Sequence, residues 1–354
     1  MEHDAITEAF VKLGVFLKHY VQSKSGEPKN KVPENPWAAR FDQAVSRAGQ
    51  ENGWFTEEQV RFAFGQWSRE LTAEKLLGWR SSYTLAVGEP KTIAIVMAGN
   101  IPLVGLHDLL SVLLTGNKVL VKLSNNDKVL LPLFTSFLEQ QNEALVGRVT
   151  FTQEKLSHFH AVIATGSNNT ARYFEYYFKD KPHLIRKNRN SVAVLTGTET
   201  PEELQALGED IFRYYGLGCR SVSKLFVPKG YDFEPFFKAM FGHRDIIHHH
   251  KYANNYDYNK AVYLMSGFKI LDNGFLVLKE ETAHASPIAA LFYETYASRD
   301  ALRKRLDEDS ALLQCVVGHA PTDKPVAFGR TQWPALTDYA DGVDTVQFLL
   351  NGLA

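Results

Sequence analysis

Cys219 has the strongest claim to chemistry in this sequence. It stands in Gly216-Leu-Gly-Cys-Arg-Ser-Val-Ser223, after a helical pattern and before a β-rich run. Glycines let backbone and ligand approach closely. A cysteine entering a short turn beside a cation, here Arg220, has its thiolate favoured by the local positive field. Such a thiolate can attack an acyl carbon. The plain alternative is a buried, inert thiol, because unpaired cysteines are among the most buried residue types. The run also comes close to a dinucleotide fingerprint, but it follows a helix and precedes a strand, the reverse of the order that motif needs.

Three further segments place small or polar residues where a strand gives way to a turn: Asn100 in Met97-Ala-Gly-Asn-Ile-Pro102, Lys122 near the end of 118–123, and Gly166 and Ser167 after 160–165. Small residues at a strand-to-helix junction put helix N–H groups on a phosphate. His248, His249 and His250 invite a metal reading. Adjacent side chains diverge on either a helix or a strand, and no further Cys or His stands at ligand spacing, so a polar loop and no metal site are expected. Residues 252–258 are expected to form a loop as well.

These segments need a scaffold, and the hydrophobic pattern supplies one. Ile6, Phe10, Leu13, Phe16, Leu17 and Tyr20 recur at helical spacing with Asp4 as N-cap, 23–36 reads as a loop, and Thr56 starts another helix. From Thr92 short apolar β-rich runs alternate with helical ones. Strands are expected near 92–98, 118–123, 148–151, 160–165 and 191–195, with the helix of 103–114 ended by Gly116-Asn117. The reading is an α/β chain: a doubly wound nucleotide-binding domain followed by a second α/β catalytic domain. The boundaries expected are an N-terminal helical layer over 1–90, the nucleotide-binding domain over 91–198, the cysteine domain over 199–325 and a C-terminal return over 326–354.

Composition limits the partners. A formal charge of -1 over 354 residues argues against a nucleic-acid or membrane-surface binder. The longest apolar runs, such as 109–114, are too short to span a bilayer, so no membrane insertion is expected. Two cysteines and an acidic, polar N-terminus fit a reducing, cytoplasmic setting. The aromatic share of 12% is high, and the surplus could line an apolar substrate tunnel as well as a core.

The segment from Gly218 to Val227 resembles the nucleophile segment of the aldehyde dehydrogenase superfamily, and the other segments follow in that family's order. Asn100 matches the oxyanion-stabilising Asn of the Asn-Phe-Pro turn. Residues 116–124 resemble the Gly-Asn-x-Val-Val-x-Lys-Pro-Ser strand, so Lys122 is implied to contact the cofactor ribose. Thr165-Gly-Ser167 matches the turn at the cofactor pyrophosphate. Glu281, with Pro287 beyond it, resembles the Glu that holds the nicotinamide ribose, given an insertion.

One departure from the pattern is informative. Hydrolytic members carry Glu-Leu-Gly-Gly-Lys-Ser, whose Glu activates water; here the stretch is Arg186-Lys-Asn-Arg-Asn-Ser191, which holds no carboxylate. A general base must lie within reach of its proton. The chain therefore resembles the acylating, CoA-linked branch, and within it the LuxC-like fatty acyl-CoA reductases of bioluminescence. That resemblance implies reduction of an acyl-CoA to an aldehyde through an acyl-cysteine on Cys219, with CoA as leaving group. It also implies a homo-oligomer and allows an acyl-supplying partner enzyme. Asn125 stands where NAD-preferring members carry Glu, so NADPH is expected, with NADH the alternative that Asp127 could favour. The rival readings are a hydrolytic aldehyde dehydrogenase with a displaced base such as Glu280, and a non-catalytic subunit of the same fold. Residues 338–342 resemble a family tail to which the sequence assigns no chemistry.

Overall fold

The structure is a computed structural model that describes residues 2–24, 35–85 and 88–352. The chain forms two compact units, one of residues 1–187 with 335–354 and one of residues 188–334.

The first unit opens with four helices: α1 (Glu2–Lys24), α2 (Pro36–Glu51), α3 (Glu57–Glu70) and α4 (Ala73–Ser81). The six apolar residues spaced along α1 are all buried, as their helical period requires. Asp4 is not the N-cap of α1. The helix already starts at Glu2, and Asp4 pairs with Arg80 at 2.6 Å. Thr56 caps α3 by accepting from Gln59 N at 3.5 Å. The loop expected over 23–36 lies mostly outside the described residues.

A parallel sheet follows, built from β1 (Thr92–Val96), α5 (Leu106–Leu114), β2 (Lys118–Lys122), α6 (Leu130–Gln141), β3 (Val149–Thr152), β4 (Ala161–Thr165), α7 (Asn168–Tyr177) and β5 (His183–Arg186). Gly116, at φ +78°, ends the α5 turn in the left-handed region a glycine adopts without strain. The strand order is β3-β2-β1-β4-β5, every pairing parallel. The chain winds outward one way from β1 and then returns to the other side of it through β4. That reversal is the topological switch point at which open α/β sheets bind ligands, beyond the strands' carboxyl ends.

Part of the aromatic content is spent on packing the helices. Phe16 and Tyr20 of α1, Trp37 and Phe41 of α2, Phe64 of α3, and Phe134 and Phe137 of α6 form one ring cluster, with centroids as close as 4.7 Å for Phe16 and Phe41. Each buried ring of this size contributes roughly 1.5–3 kcal/mol. These seven belong to a core, not to a tunnel.

The second unit holds β6 (Asn190–Val194), α8 (Pro201–Phe212), β7 (Val222–Pro228), α9 (Glu234–Met240), α10 (His250–Met265), β8 (Ile270–Asp272), β9 (Val277–Glu280), β10 (Ala290–Tyr296), α11 (Arg299–Glu308) and β11 (Leu313–Gly318). Its sheet runs β11-β6-β7-β10-β9-β8 and is parallel except for β8 against β9. The strand near 191–195, expected to close the first sheet, instead lies inside this one. Its partners are β7, with Val192 opposite Lys224, and the far later β11, with Val192 opposite Val316.

Residues 252–258 are helical, not a loop, and lie within α10. Tyr252, Tyr256, Asn259 and Tyr263 form its buried stripe, with Tyr252 Oη donating to Phe275 O at 3.0 Å and Tyr256 Oη to Asp272 Oδ1 at 2.7 Å. A stripe of tyrosines among Asn and Asp hides the apolar period from a reading of residue types. The histidine run serves the same helix: His249 is its N-cap, Nδ1 accepting from Tyr252 N at 3.3 Å.

The final helix, α12 (Thr345–Asn351), returns the chain to the first unit. Its lead-in is anchored there by Tyr339, whose hydroxyl accepts from Trp79 Nε1 at 2.6 Å, and by Asp344, which accepts from Tyr83 Oη at 2.8 Å. The 338–342 stretch thus has a structural job. Among the described residues, no helix is long and apolar enough to cross a membrane.

Candidate active site

Four of the six sequence-derived candidates meet at one edge of the first unit. Register aligns Val96 of β1 with Lys122 of β2 and Ala164 of β4. Lys122 therefore ends its strand level with the switch point; Gly166 and Ser167 lie just beyond β4, and Asn100 in the turn after β1. Lys122 Nζ donates to Glu154 O at 3.3 Å. A Cβ on Gly166 would sit 3.0 Å from Thr170 and Phe174, so glycine lets the turn close on the start of α7. Ser167 caps α7 by accepting from Thr170 N at 3.2 Å. The small turn, the helix N-terminus and the carboxyl edge together fit the pyrophosphate of a dinucleotide.

Packing holds the turn after β1 in place. A Cβ on Gly99 would lie 2.5 Å from Ser124 Oγ, so the turns after β1 and β2 touch only because residue 99 is glycine. Leu103 takes φ +58°, a left-handed conformation costing a non-glycine residue about 1–3 kcal/mol. Asp127, the carboxylate that could favour NADH, accepts from Leu130 N at 3.4 Å, and burial raises its pKa to about 6. Asn125 is exposed.

Cys219 and Glu281 belong to the second unit. Cys219 is exposed, and the other cysteine, Cys315, is buried in β11. Cys219 sits in a turn closed by Ser221 N donating to Gly218 O at 2.9 Å. Just before it, Tyr214 and Tyr215 are both left-handed, at φ +55° and +57°. Strain therefore stands beside both Asn100 and Cys219, as it does at sites whose surroundings over-determine them. Arg220 Nε donates to Thr331 O at 2.5 Å, so at least that part of the guanidinium holds backbone. Glu281 follows β9; Lys279 Nζ, at 2.7 Å, and Thr282 N, at 2.9 Å, hold its carboxyl down to about 2.

Four residues of the stretch without a carboxylate are engaged elsewhere. Arg186 Nη1 donates to Asp108 Oδ2 at 2.6 Å and Nη2 to Thr345 Oγ1 at 2.8 Å. Lys187 pairs with Glu175, and Arg189 donates to Leu313 O at 3.1 Å. Ser191, completely buried, donates from Oγ to Cys219 O at 2.9 Å. Sequence reasoning missed Ser191, Asp210, Thr331 and Gln332 as supports of the cysteine turn. Asp210 carried a signal: it stands three residues after Leu207 on the buried stripe of α8, where a carboxylate needs a reason.

The profile of the LuxC acyl-CoA reductases matches residues 74–255, just over half of the 354-residue chain. The chain belongs to the LuxC acyl-CoA reductase family. It is an NAD(P)-dependent oxidoreductase of aldehyde-dehydrogenase-like α/β fold. HpcC from Thermus thermophilus is similar over 86% of the reductase and 71% of its own chain, at 15% identity and a TM-score of 0.58. Aldehyde dehydrogenase 21 from Physcomitrella patens, in complex with succinate, shares 11% identity over 97% of the reductase and 82% of its own chain, at a TM-score of 0.61. A mutant of aldehyde dehydrogenase C from Pseudomonas syringae, in complex with NAD+ and octanal, shares 11% identity over 84% of the reductase and 68% of its own chain, at a TM-score of 0.58. At these identities the likeness shows the fold. No curated protein matches the sequence significantly.

Proposed function

We propose that the reductase converts a fatty acyl-CoA to the aldehyde through an acyl-cysteine on Cys219. The exposed Cys219, on a turn whose carbonyl is held by Ser191, carries this reading. Its thiolate attacks the thioester carbonyl, the C–S bond to CoA breaks, and CoA leaves as its thiolate. NADPH, when bound, supplies the hydride for the acyl carbon. Lys122, Gly166 and Ser167 form its ribose and pyrophosphate edge, and Glu281 is assigned the nicotinamide ribose. The oxyanion on the cysteine-bound carbon is assigned to the Cys219 N–H and to Asn100. Its collapse breaks the C–S bond and releases aldehyde and thiolate.

In this reading deacylation by water lacks the base that hydrolytic relatives use. The stretch where hydrolytic relatives carry Glu holds Arg186, itself engaged with Asp108. In this reading 1–90 is the helical layer of the cofactor domain, and the second unit is the cysteine domain.

Cofactor choice follows from the edge of β2. Asn125 is neutral and exposed, so the Glu that would repel a 2′-phosphate is missing there, and Asp127 Oδ1 is engaged by Leu130 N. Purified protein given acyl-CoA of graded chain length with NADPH or NADH should yield aldehyde and free CoA in equal amounts, with the higher kcat/KM for NADPH and long chains. Release of carboxylic acid in place of aldehyde overturns the reading.

A further inference from the structure

The turn that carries Cys219 is tethered from three directions within the second unit. Ser191 Oγ holds the Cys219 carbonyl at 2.9 Å, Arg220 Nε holds Thr331 O at 2.5 Å, and Gln332 Nε2 donates to Ser221 Oγ at 3.3 Å. Two of these anchors, Thr331 and Gln332, lie on one short segment, and one carboxylate fixes that segment. Asp210 Oδ2 accepts from Gly329 N at 2.6 Å; Oδ1 accepts from Thr331 N at 2.9 Å and Thr331 Oγ1 at 2.8 Å.

Asp210 is 1% exposed and Thr331 0%. Burying a carboxylate is costly unless donors compensate it, and here three short charge-assisted bonds do so. An apolar residue on this stripe of α8 would pack without that cost but would leave the 329–332 turn unheld. The geometry upstream makes the tethers matter. Tyr214 and Tyr215 hold left-handed backbone on the approach to Cys219, a conformation costing about 1–2 kcal/mol per residue. A turn entered through strained backbone relaxes elsewhere once its anchors are cut.

We propose that Asp210 is a positioning residue for the nucleophile: by fixing the 329–332 turn it fixes the anchors of Arg220 and Ser221, and so sets the direction in which the Cys219 thiol is presented. Arg220 is a link in this chain. The inference rests on the reading of Cys219 as the acyl-accepting nucleophile.

Asp210→Asn removes the charge that gathers the three donors. Thr331→Val removes one donor while keeping side-chain shape, and Thr331→Ser retains the hydroxyl. For each variant the measurements are kcat, KM for NADPH, and the rate and pH profile of iodoacetamide alkylation at Cys219, mapped by peptide mass spectrometry. Misplacement of a reacting atom by about 1 Å can cost about 100-fold. Asp210→Asn and Thr331→Val are therefore expected to lower kcat by about 10- to 100-fold with KM for NADPH within about twofold. Their alkylation profile should shift, which a loss of folded fraction alone would not produce, while Thr331→Ser stays close to the parent.

If Asp210→Asn does not fold, Thr331→Val decides. A folded Thr331→Val protein with kcat and alkylation profile like the parent's overturns the positioning role. If the parent protein takes no acyl group on Cys219, the reading beneath falls, and the inference with it. Normal acylation of the parent alongside unaffected variants refutes the inference alone.

Discussion

Replacing Arg186 with glutamate would restore a carboxylate where hydrolytic relatives carry their water-activating base. The structure predicts an unstable protein, not a hydrolase. Arg186 Nη1 lies 2.6 Å from Asp108 Oδ2, and the two side chains are only 8% and 6% exposed. Asp108 Oδ1 is buried with no hydrogen-bond partner, so the guanidinium is the main compensation for that charge. Removing one member of a buried pair costs about 3–5 kcal/mol because the other charge is left unbalanced. That is a large share of the roughly 5–15 kcal/mol that holds a typical domain folded. Glutamate adds a second buried negative charge, so its cost should match or exceed that of Arg186→Gln. Urea unfolding followed by tryptophan fluorescence reads this directly, since Trp37, Trp54, Trp67 and Trp79 all lie in the first unit. Arg186→Gln should lose about 3–5 kcal/mol, and adding Asp108→Asn should recover at least about 1 kcal/mol of it. A stable Arg186→Glu protein that releases fatty acid from acyl-CoA would refute the reasoning.

Two other substitutions probe the cofactor edge. Asp127 titrates near 6 in the fold because burial disfavours its charge, against an ordinary value of 3.8. With its folded pKa raised, the group stabilises the fold fully below the unfolded value and loses that contribution as pH rises through about 6, a swing on the order of 3 kcal/mol. Asp127→Asn should therefore be at least as stable as the parent at pH 7, with the gap narrowing between pH 6 and 4 in thermal melts; a pH-independent gap contradicts this. Gly99→Ala places a methyl group 2.5 Å from Ser124 Oγ and 3.2 Å from Asp127 N, so the turns after β1 and β2 must part. A rise of at least about tenfold in the dissociation constant for NADPH, read by fluorescence titration, is expected from a displaced site of this kind; unchanged affinity contradicts it.

The residues of the first unit explain why so much of its edge is legible from sequence. Short apolar runs such as 92–96 and 118–122, separated by Gly-Asn and Asn-Ile-Pro turns, announce parallel strands through local pattern alone. Once those strands pair in register, Asn100, Lys122, Gly166 and Ser167 arrive at one carboxyl edge without further information. Sheet membership is different. The 190–194 strand looks like its predecessors, and only its pairing with β7 and with β11, whose residues lie more than 100 positions later, places it in the second unit. The helix over 250–265 escaped because its buried face is tyrosine hydroxyl and ring, which residue-type periodicity scores as polar. The supports of Cys219 escaped for a related reason: Ser191, Asp210, Thr331 and Gln332 meet only in three dimensions, and each is ordinary within its own segment.

The most direct test of the account is intact-protein and peptide mass spectrometry of the reductase mixed with a long-chain acyl-CoA and no reduced cofactor. The account predicts one acyl group per chain, on Cys219 and not on the buried Cys315, persisting until NADPH is added and then lost as aldehyde. No adduct at stoichiometric enzyme, or an adduct that water clears as fatty acid before NADPH arrives, would contradict it.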